Sequence, residues 1–322
     1  MIIFIGPNRN RSNVARLKEH PKAPPYRYKT YNWLYRTFKL PAATYIFTGI
    51  DRLDFNERRL AGKIYRHINA AGEGFRALND PAHAMGRYRL LKKMHTAGIN
   101  QFDVHLACDA PKRAQFPVFI RRISLSTLPL SGLIQTQAEL DTTLGKLYEN
   151  GEPLDDLIVV EYCAQPIENG VFQKFSAYYM AGATTLNWSI FEKNWMVKIG
   201  EIDIVDASVY EQEAPLVHQN AFSDVIEKAF KLSKIEYGRA DFGLVNGHPQ
   251  IYEINFNPQF VTLNSSSQNP IRQNTVSMVV DRYVSSLAAL SSPSSGSINN
   301  IVDPEITAFR LRPWRNYAPQ RY

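Results

Sequence analysis

The chain has 322 residues, of which 44% are hydrophobic and 21% are charged; this composition excludes a disordered chain and predicts two or three packed lobes. Its longest apolar runs are strand-sized, which disfavours a membrane span, and "MIIFIGPNRNRS" does not have the pattern of a secretory signal. The net charge of +7 is compatible with nucleic acid, acidic lipid, an anionic small substrate or a merely solvated basic surface.

The motifs narrow these classes further. No zinc-finger, RNA-recognition or uninterrupted basic-helix pattern accompanies the charge, so nucleic acid is disfavoured as a partner. The two cysteines, Cys108 and Cys163, have no metal-like spacing, which predicts a reduced, cytoplasmic protein.

The first eighty residues predict an α/β lobe. "MIIFIGPN" and "ATYIFTGI" are typical of buried strands, with the basic stretch "HPKAPPYRYKTYNWLYRTF" between them. "NERRLAGKIYRHINAAG" has helical spacing and ends at a glycine, and "GFRALNDP" predicts a short strand and a turn. "AHAMGRYRLLKKMHTAGI" then predicts an amphipathic helix that ends at Gly98.

The rest of the chain predicts further strands and helices. "FPVFIRRISL", "DDLIVVEYCA" and "FQKFSAYYMAGATTLNWSIFEKNWMVKIG" indicate strands, whereas "TQAELDTTLGKLYENG", "SDVIEKAFKLSKIEYG" and "NTVSMVVDRYVSSLAAL" indicate helices. "SSPSSGSINN" has the composition of a flexible linker. The tail "ITAFRLRPWRNYAPQRY" is interpreted as an extended segment docked on the body; covering the active site, binding an anionic partner and mediating oligomers remain alternatives.

The segment "YGRADFGLVNGHPQIYEINFNPQF" predicts a hairpin that carries charged groups at two-residue steps. Asp241 and Glu253 lie twelve residues apart across "VNGHP", and Asn255 shares the face of Glu253 because strand side chains repeat every second residue. Two adjacent buried acids need a cation between them, and two carboxylates with one amide suit Mg²⁺. Arg239 shares the face of Asp241 as a fixed positive charge.

These residues resemble the signature of the ATP-grasp superfamily, which runs R-x-D, a turn, E-x-N and then a proline. Here the pattern comprises Arg239, Asp241, Glu253, Asn255 and Pro258. The resemblance covers roughly residues 80–290, and the first eighty residues fit the lobe that precedes the grasp domains. It implies an α/β (α+β) chain with the ATP-grasp fold and an N-terminal Rossmann-like pre-ATP-grasp lobe.

The resemblance extends upstream and implies the nucleotide contacts. "AMGRYRLLKKMHTAGIN" and "FPVFIR" resemble the segments that carry two phosphate-binding cations, while "LIVVEYCAQPIENG" resembles the hinge that holds adenine. On that pattern, Glu161 accepts from the adenine amino group, the backbone of Tyr162 and Cys163 completes the hinge, and Glu168 binds the ribose. The cofactor-binding residues that the resemblance implies are Arg87, Arg121, Glu161, Tyr162, Cys163, Glu168 and Lys174, with Lys198 competing for the role of Lys174.

Two features depart from the family pattern. The loop "ISLSTLPLSG", residues 123–132, has one glycine where the family's phosphate-covering loop is rich in glycine and serine, so its closure over the phosphates can differ. Arginine replaces lysine at residues 87 and 121, which keeps the charge but turns a point charge into a planar fork. Neither departure removes the metal ligands, which favours an active enzyme.

The resemblance implies an ATP- and Mg²⁺-dependent, ADP-forming ligase that activates a carboxylate as an acyl phosphate for an amine or similar nucleophile. Mg²⁺ would lie on Asp241, Glu253 and Asn255, and Arg239 would be the catalytic cation that stabilises the acyl phosphate. The alternatives are a small-molecule kinase on the same scaffold and a non-catalytic nucleotide-binding protein. No "GxSxG" or "HExxH" pattern indicates a different chemistry.

The sequence also predicts a division into four domains and two kinds of substrate. The predicted domains are an α/β lobe (1–80), a small ATP-grasp subdomain (81–155), a C-terminal subdomain with the metal site (156–290) and a linker with a basic aromatic tail (291–322). The expected partners are a small-molecule or peptide carboxylate and a nucleophile, without a membrane; a homo-oligomer is left open. Asn257, Gln259 and "NSSSQNP" are candidates for contacts with the acceptor substrate, or else belong to a polar loop.

Overall fold

The structure is a computed structural model that describes residues 1–109, 113–124, 128–202, 204–260, 269–292, 296–299 and 303–310. It is a mixed α/β chain built around a parallel sheet, two antiparallel sheets and a two-stranded ribbon. Within the described ranges, none of the helices combines the length and the apolar character needed to cross a membrane.

The first lobe contains a four-stranded parallel sheet in the order β2-β1-β4-β5. Its elements are β1 (Ile2–Gly6), β2 (Tyr26–Thr30), α1 (Tyr31–Arg36), β3 (Lys39–Pro41), β4 (Ala43–Phe47), α2 (Phe55–Asn69) and β5 (Phe75–Leu78). All five residues of β1 and of β4 are buried, as their apolar runs predict. Helix α2 begins with a reciprocal capping box between Asp54 and Glu57.

The basic stretch that follows β1 is more structured than its sequence suggests. A 3₁₀ segment, Asn8–Glu19, precedes β2, and α1 follows β2 directly. The sequence did not predict β2 or α1 because prolines and basic residues hide the short periodicity of each element. The description of this lobe as Rossmann-like stays a prediction.

The middle of the chain forms a three-stranded antiparallel sheet in the order β6-β8-β7. Its elements are α3 (Arg87–Thr96), β6 (Val104–Leu106), β7 (Val118–Arg122), α4 (Gln137–Glu149) and β8 (Leu157–Glu161). Helix α3 begins later than predicted, because Gly86 has an extended backbone and forms the N-cap. Leu90, Leu91 and Met94 form its buried face.

The third part contains a five-stranded antiparallel sheet in the order β10-β9-β12-β13, with β11 also paired to β9. Its elements are β9 (Phe172–Met180), β10 (Ala183–Leu186), β11 (Ile190–Glu192), α5 (Ala207–His218), α6 (Ser223–Ser233), β12 (Tyr237–Val245), β13 (His248–Asn255) and α7 (Pro270–Ala289). Helix α5 was not predicted, and Pro215 within it is one reason why. Asn269 caps α7, and Pro270 occupies its first turn.

The C-terminal segment differs from its prediction in two places. Ser297–Asn299 forms β14, which pairs with β3, so these residues are not part of a flexible linker. Pro304–Arg310 forms the helix α8 rather than an extended segment, and it does dock on the body: the Phe309 ring lies 5.3 Å from the Tyr35 ring. Residues 311–322 of the tail lie outside the described residues, and the boundaries of the four predicted domains stay predictions.

Candidate active site

The predicted hairpin is present and consists of β12 and β13, joined by Asn246 and Gly247. Both turn residues have positive φ angles, 50° at Asn246 and 78° at Gly247, as a two-residue type I′ turn requires. Glycine adopts this conformation without strain, and asparagine tolerates it better than most residues. The turn therefore follows directly from the "NG" pair.

One irregularity in the pairing decides where the acidic residues face. Next to the turn, Phe242 pairs with Ile251, but Asp241 pairs with Glu253, so the register skips Tyr252. This extra residue is a β-bulge, and it shifts every later residue of β13 by one position. Because side chains alternate between the two faces, the shift brings Glu253 directly opposite Asp241 on one face.

The bulged Tyr252 connects the hairpin to the neighbouring β8 segment. A Cβ atom at Gly243 would lie 2.4 Å from the Tyr252 hydroxyl oxygen, so the glycine leaves the space that the tyrosine occupies. The same hydroxyl donates a hydrogen bond of 2.9 Å to the Cys163 carbonyl oxygen. The bulge thus also sets the distance between the acidic face and the segment that follows β8.

Asp241 is buried and forms two hydrogen bonds with the guanidinium of Arg239. The Arg239 Nε and Nη2 atoms lie 2.8 and 3.1 Å from Oδ1 and Oδ2. The Nζ atom of Lys174 lies 3.7 Å from Oδ2 and donates to the Val197 carbonyl at 2.7 Å. Burial would lower the pKa of Arg239, but the adjacent Asp241 carboxylate raises it above the ordinary value, so the guanidinium stays charged.

Glu253 lies among three basic or amide side chains. Arg87 Nη2 donates to its Oε2 atom at 2.9 Å, and Arg121 Nη2 lies 3.8 Å from the same oxygen. Asn255 Nδ2 donates to Oε1 at 3.2 Å. Burial would raise the pKa of Glu253, but Arg87 and Arg121 outweigh that effect and lower it to about 2, so the group is a carboxylate at neutral pH.

The buried guanidinium of Arg121 is only partly compensated by hydrogen bonds and opposite charge. Its Nε atom is buried and has no hydrogen-bond partner within the described part of the chain. Burial and the neighbouring Arg87 lower the pKa of Arg121 to about 10, although Glu253 opposes them. Four cations therefore surround two carboxylates, and this surplus of positive charge favours an anionic ligand. The four are Arg87, Arg121, Lys174 and Arg239.

A cleft lies beside this cluster, and we call it the first cleft. One end is apolar and aromatic: the Trp195 ring lies 4.9 Å from Phe119 and 5.6 Å from Tyr162. The other end is charged and is lined by Arg121, Lys174, Lys198, Asp241 and Glu253. A ligand with a flat ring and an anionic chain matches this division.

The predicted hinge lines the first cleft, but its groups are already partly engaged. The Glu161 carboxylate accepts hydrogen bonds from the Asp103 N–H at 2.9 Å and the Gln115 N–H at 2.8 Å. His105 Nε2 lies 3.1 Å from the same carboxylate. The side chain thus holds the surrounding backbone in place, and its contact with adenine stays a prediction.

Of the two predicted hinge residues after Glu161, one has its backbone N–H group already bonded. The Tyr162 N–H donates to the Pro117 carbonyl at 2.9 Å, and the Cys163 carbonyl accepts from Tyr252. No hydrogen bond joins the Cys163 N–H to another described residue. Of the predicted hinge groups, the Cys163 N–H is therefore the one suited to donate to a ligand ring nitrogen, whereas the Tyr162 N–H is not.

The remaining predicted residues are distributed unevenly. Lys174 and Lys198 both line the first cleft, so the structure does not choose between them. Glu168 is exposed and is not among the residues that line this cleft. Arg87 lines a second cleft on the other side of Glu253. The nucleotide-binding roles of Glu168 and Arg87 stay predictions.

The second cleft lies between the first lobe and the hairpin. Glu253 lines both clefts, so a ligand in each would meet at this carboxylate. The second cleft is lined by Asn10, Asp51, Arg52, Arg58, Arg87, Asn255 and Asn257, among others. Asn257 was predicted from its position after the metal ligands, and the structure places it here; Gln259 is not among the residues that line this cleft.

Sequence reasoning did not find Asn10, Arg52, Arg58 or Trp195. The first three lie in the first lobe, far from the hairpin along the chain, and no local motif marks them. The tryptophan follows the "EKN" turn in "NWMVKIG", where its aromatic character was the only available signal. Residues 125–127 of the predicted phosphate-covering loop and 261–268, which include most of "NSSSQNP", lie outside the described residues.

The donor set fits Mg²⁺ and a nucleotide. Asp241, Glu253 and Asn255 present hard oxygen atoms on one face, and the Asn255 Oδ1 atom accepts no hydrogen bond from another described residue. The surplus of cations and the buried Nε of Arg121 fit the phosphates, while the apolar end of the first cleft fits a base.

Comparison with known proteins identifies the fold. No protein-family model and no curated protein matches the sequence. Among solved structures, the chain is similar to the D-alanine–D-alanine ligase from Bacillus anthracis, with a TM-score of 0.51, 13% identity, and coverage of 90% of this chain and 98% of that chain. It is also similar to the ATP-grasp ligase PsnB complexed with minimal precursor, with a TM-score of 0.52, 10% identity, and coverage of 90% and 98%.

A further structure of PsnB, complexed with a phosphomimetic variant of the minimal precursor, Mg and ADP, has a TM-score of 0.51 at 10% identity, with coverage of 87% of this chain and 96% of that chain. These likenesses extend over most of both chains. The protein therefore has the ATP-grasp fold, as the sequence predicted. At these identities the likeness concerns the fold, and the chemistry must be argued from the residues of this chain.

We expect nucleotide to protect Cys163 from alkylation. Burial, assisted by Glu161, raises the pKa of the Cys163 thiol from 9.0 to about 11, so its thiolate fraction at neutral pH is about a hundredfold lower than that of an ordinary cysteine. Iodoacetamide labelling should therefore be slow at pH 7 and rise about tenfold per pH unit up to about pH 11. Adding Mg²⁺ and a non-hydrolysable ATP analogue should slow it further.

Peptide mass mapping measures this protection, with the exposed Cys108 of the same chain as an internal control whose labelling should not respond to nucleotide. Equal labelling of Cys163 with and without bound nucleotide would show that nucleotide does not occupy the first cleft.

Proposed function

We propose that the protein is an ATP- and Mg²⁺-dependent ligase that activates a carboxylate as an acyl phosphate for attack by an amine or a similar nucleophile. The observation that carries this proposal is the position of Asp241 and Glu253. The two carboxylates face each other where the two clefts meet, among four cations. A site that must join the phosphate end of one ligand to a second ligand needs this arrangement.

The first cleft would hold ATP. Phe119, Tyr162 and Trp195 would contact the base, and the Cys163 N–H would donate to it. Arg121 and Lys174 would bind phosphate oxygens, since both line the charged end of the cleft. Arg121 would gain a partner for its buried Nε atom in this way, which recovers part of the free energy lost by burying it.

Mg²⁺ would be held by Asp241, Glu253 and Asn255, where it would neutralise charge on the phosphate oxygens. Arg87 and Arg239 now pair with Glu253 and Asp241, respectively, and would shift towards the phosphates and the acceptor when the carboxylates bind the metal. Arg239 would stabilise the acyl phosphate and the oxyanion that forms on nucleophilic attack. These residues act by positioning and electrostatics, and no side-chain nucleophile is required.

The second cleft would hold the acceptor carboxylate. One carboxylate oxygen attacks the terminal phosphorus of ATP, the bond to the leaving ADP breaks, and an acyl phosphate forms. The nucleophile then attacks the acyl carbon, inorganic phosphate leaves, and the nucleophile's proton passes to solvent. Arg52 and Arg58 line this cleft and favour an anionic acceptor, such as an amino acid or a peptide carboxylate.

The ligase and its two alternatives give different products from one experiment. The protein would be incubated with ATP, Mg²⁺ and a library of carboxylates, with hydroxylamine as a general nucleophile, and the products analysed by mass spectrometry. A ligase releases ADP and forms a hydroxamate. A small-molecule kinase releases ADP and forms a stable phosphoester without a hydroxamate, and a non-catalytic nucleotide-binding protein binds ATP without forming ADP; either result would overturn the proposal.

A further inference from the structure

The net positive charge of the chain comes from its first fifty residues. This segment has nine basic residues and one acidic residue, a net charge of +8, whereas the whole chain carries +7. All the remaining residues together therefore carry a net charge of −1. So uneven a distribution gives the first lobe a positive field that the rest of the protein does not share.

A groove in this lobe collects four of these cations, and we call it the basic groove. It runs between the 3₁₀ segment and β2, and it is lined by Arg11, Lys18, Arg27 and Lys29 together with Tyr26 and Tyr28. The groove has no acidic lining residue. None of the four cations forms an ion pair with another described residue; Glu19, the nearest acid in sequence, pairs with Arg16.

The floor of the basic groove is the free edge of a sheet. β2 is the outermost strand of the parallel sheet and pairs with β1 alone among the described strands. The Pro25 carbonyl accepts from the Ile2 N–H, and because strand backbone groups alternate in direction, those of Arg27 and Lys29 also point towards β1. The backbone groups of Tyr26 and Tyr28 consequently point outward, away from the one described strand with which β2 pairs.

Cations flank this edge on both faces of the sheet. Tyr26 donates its hydroxyl proton to the Val14 carbonyl of the 3₁₀ segment, so the face that carries Tyr26 and Tyr28 is also the face of Arg11 and Lys18. Arg27 and Lys29 alternate with the tyrosines and therefore lie on the opposite face. A strand added to this edge would have positive charge above and below it.

The basic groove is next to the second cleft. Asn10 lines the second cleft and the adjacent Arg11 lines the basic groove, so the 3₁₀ segment borders both. The basic groove and the second cleft therefore share the 3₁₀ segment as a common wall.

We propose that the basic groove docks an extended, acidic segment of a peptide or protein partner, which adds as a strand to the free edge of β2. Backbone hydrogen bonds to Tyr26 and Tyr28 supply the strand pairing, and acidic side chains on alternating faces meet Arg11 and Lys18 on one side and Arg27 and Lys29 on the other. This proposal deepens the proposed function. The role of the docked partner as the acceptor substrate rests on the proposed ligase activity, whereas the docking itself does not depend on it.

A peptide fits this site better than a nucleic acid does. The edge of β2 offers alternating N–H and C=O groups, which match a peptide backbone and have no counterpart in a phosphate backbone. Both tyrosine hydroxyls are bonded to carbonyls, Tyr26 to Val14 and Tyr28 to Pro7, which fixes the rings against the 3₁₀ segment rather than leaving them as stacking platforms for bases.

Fluorescence anisotropy with a labelled peptide of alternating Glu and Thr, in the absence of ATP, tests the proposal. We expect saturable binding to the full chain that weakens roughly tenfold or more in the double variant Lys18→Glu/Arg27→Glu, which reverses one cation on each face. The control Lys146→Glu/Lys228→Glu changes the net charge equally at two exposed positions elsewhere, and should bind as the wild type does. A peptide N-methylated at alternate residues keeps its charge but loses the strand hydrogen bonds, and should bind roughly tenfold more weakly.

Three results would overturn the proposal: no binding of the peptide, equal weakening by the groove and control variants, or equal affinity for the N-methylated peptide. An oligothymidylate of equal charge that binds more tightly than the peptide, and loses affinity in the groove variant, would assign the groove to nucleic acid instead. The Asp241→Asn variant should keep full peptide affinity, so a failure of the ligase proposal and a failure of the docking proposal are separable.

Discussion

Asp241→Asn and Glu253→Gln are each expected to lower the rate of ATP-dependent product formation by about three orders of magnitude. Each change keeps the size of the side chain and removes a negative charge from the face where the two carboxylates meet. A metal ion supplies several kcal/mol of charge stabilisation, and each 1.36 kcal/mol corresponds to about a tenfold rate. Release of ADP, followed at saturating Mg²⁺ with the acceptor found by product analysis, measures the effect.

Glu149→Gln is a matched control, because Glu149 is exposed at the end of α4 and forms no ion pair with a described residue. It should turn over at the wild-type rate. Thermal unfolding of each variant separates catalysis from folding, since Glu253→Gln also leaves Arg87 and Arg121 without their counter-charge. Folded Asp241 and Glu253 variants that retain turnover within tenfold of the wild type would refute the metal assignment.

Arg272→Met is expected to lower the free energy of unfolding by about 3–5 kcal/mol. Arg272 of α7 forms two close contacts with Glu213 of α5, at 3.1 and 3.0 Å, and the two side chains are 5% and 2% exposed. The guanidinium also lies 4.5 Å from the centre of the Tyr210 ring. Removing the arginine leaves a buried carboxylate without its counter-charge, and burial already raises the pKa of Glu213 despite the opposing effect of Arg272. Urea denaturation measures the loss.

Arg282→Met provides the comparison on the same helix. Arg282 donates to the Val217 and His218 carbonyls at 2.8 and 2.7 Å and is partly exposed, so its loss should cost about 1 kcal/mol. The double variant Glu213→Leu/Arg272→Met should recover most of the stability lost by Arg272→Met, because an apolar pair leaves no charge unpaired. A loss below about 1 kcal/mol in Arg272→Met would show that the buried pair does not hold α5 to α7.

Much of the fold could be predicted because its strongest signals are local. The buried runs of β1, β4 and β8 and the spacing of α2 and α4 are visible within short windows. The elements that were missed have weak local signals and depend on tertiary contacts: β2 and α1 lie in a basic, proline-containing stretch, and β14 exists by pairing with β3, more than 250 residues earlier in the chain. The ATP-grasp resemblance rested on the hairpin, and the structural comparisons confirm that fold.

The residues of the candidate site likewise fall into those that local sequence predicts and those that only tertiary contacts bring together. The hairpin residues could be predicted because they lie close together in the sequence, where charged and amide residues recur at two-residue steps. The second cleft was not found, because Asn10, Arg52 and Arg58 reach it from the first lobe. The engagement of the Glu161 carboxylate by Asp103 and Gln115 is also invisible in the sequence, since those partners come from separate segments.

The sequence by itself determined the hairpin: "NG" takes the two left-handed positions of a type I′ turn, and the residue types on either side determine which oxygen atoms are available for a metal. Only the tertiary structure decided that Asp241 and Glu253 share a face. Regular pairing outward from the turn would set Asp241 against Tyr252 and send Glu253 to the other face of the sheet. The bulge at Tyr252 prevents this. Gly243 of the same hairpin leaves the space that the tyrosine occupies, and the Cys163 carbonyl, from outside the local sequence, accepts its hydroxyl proton.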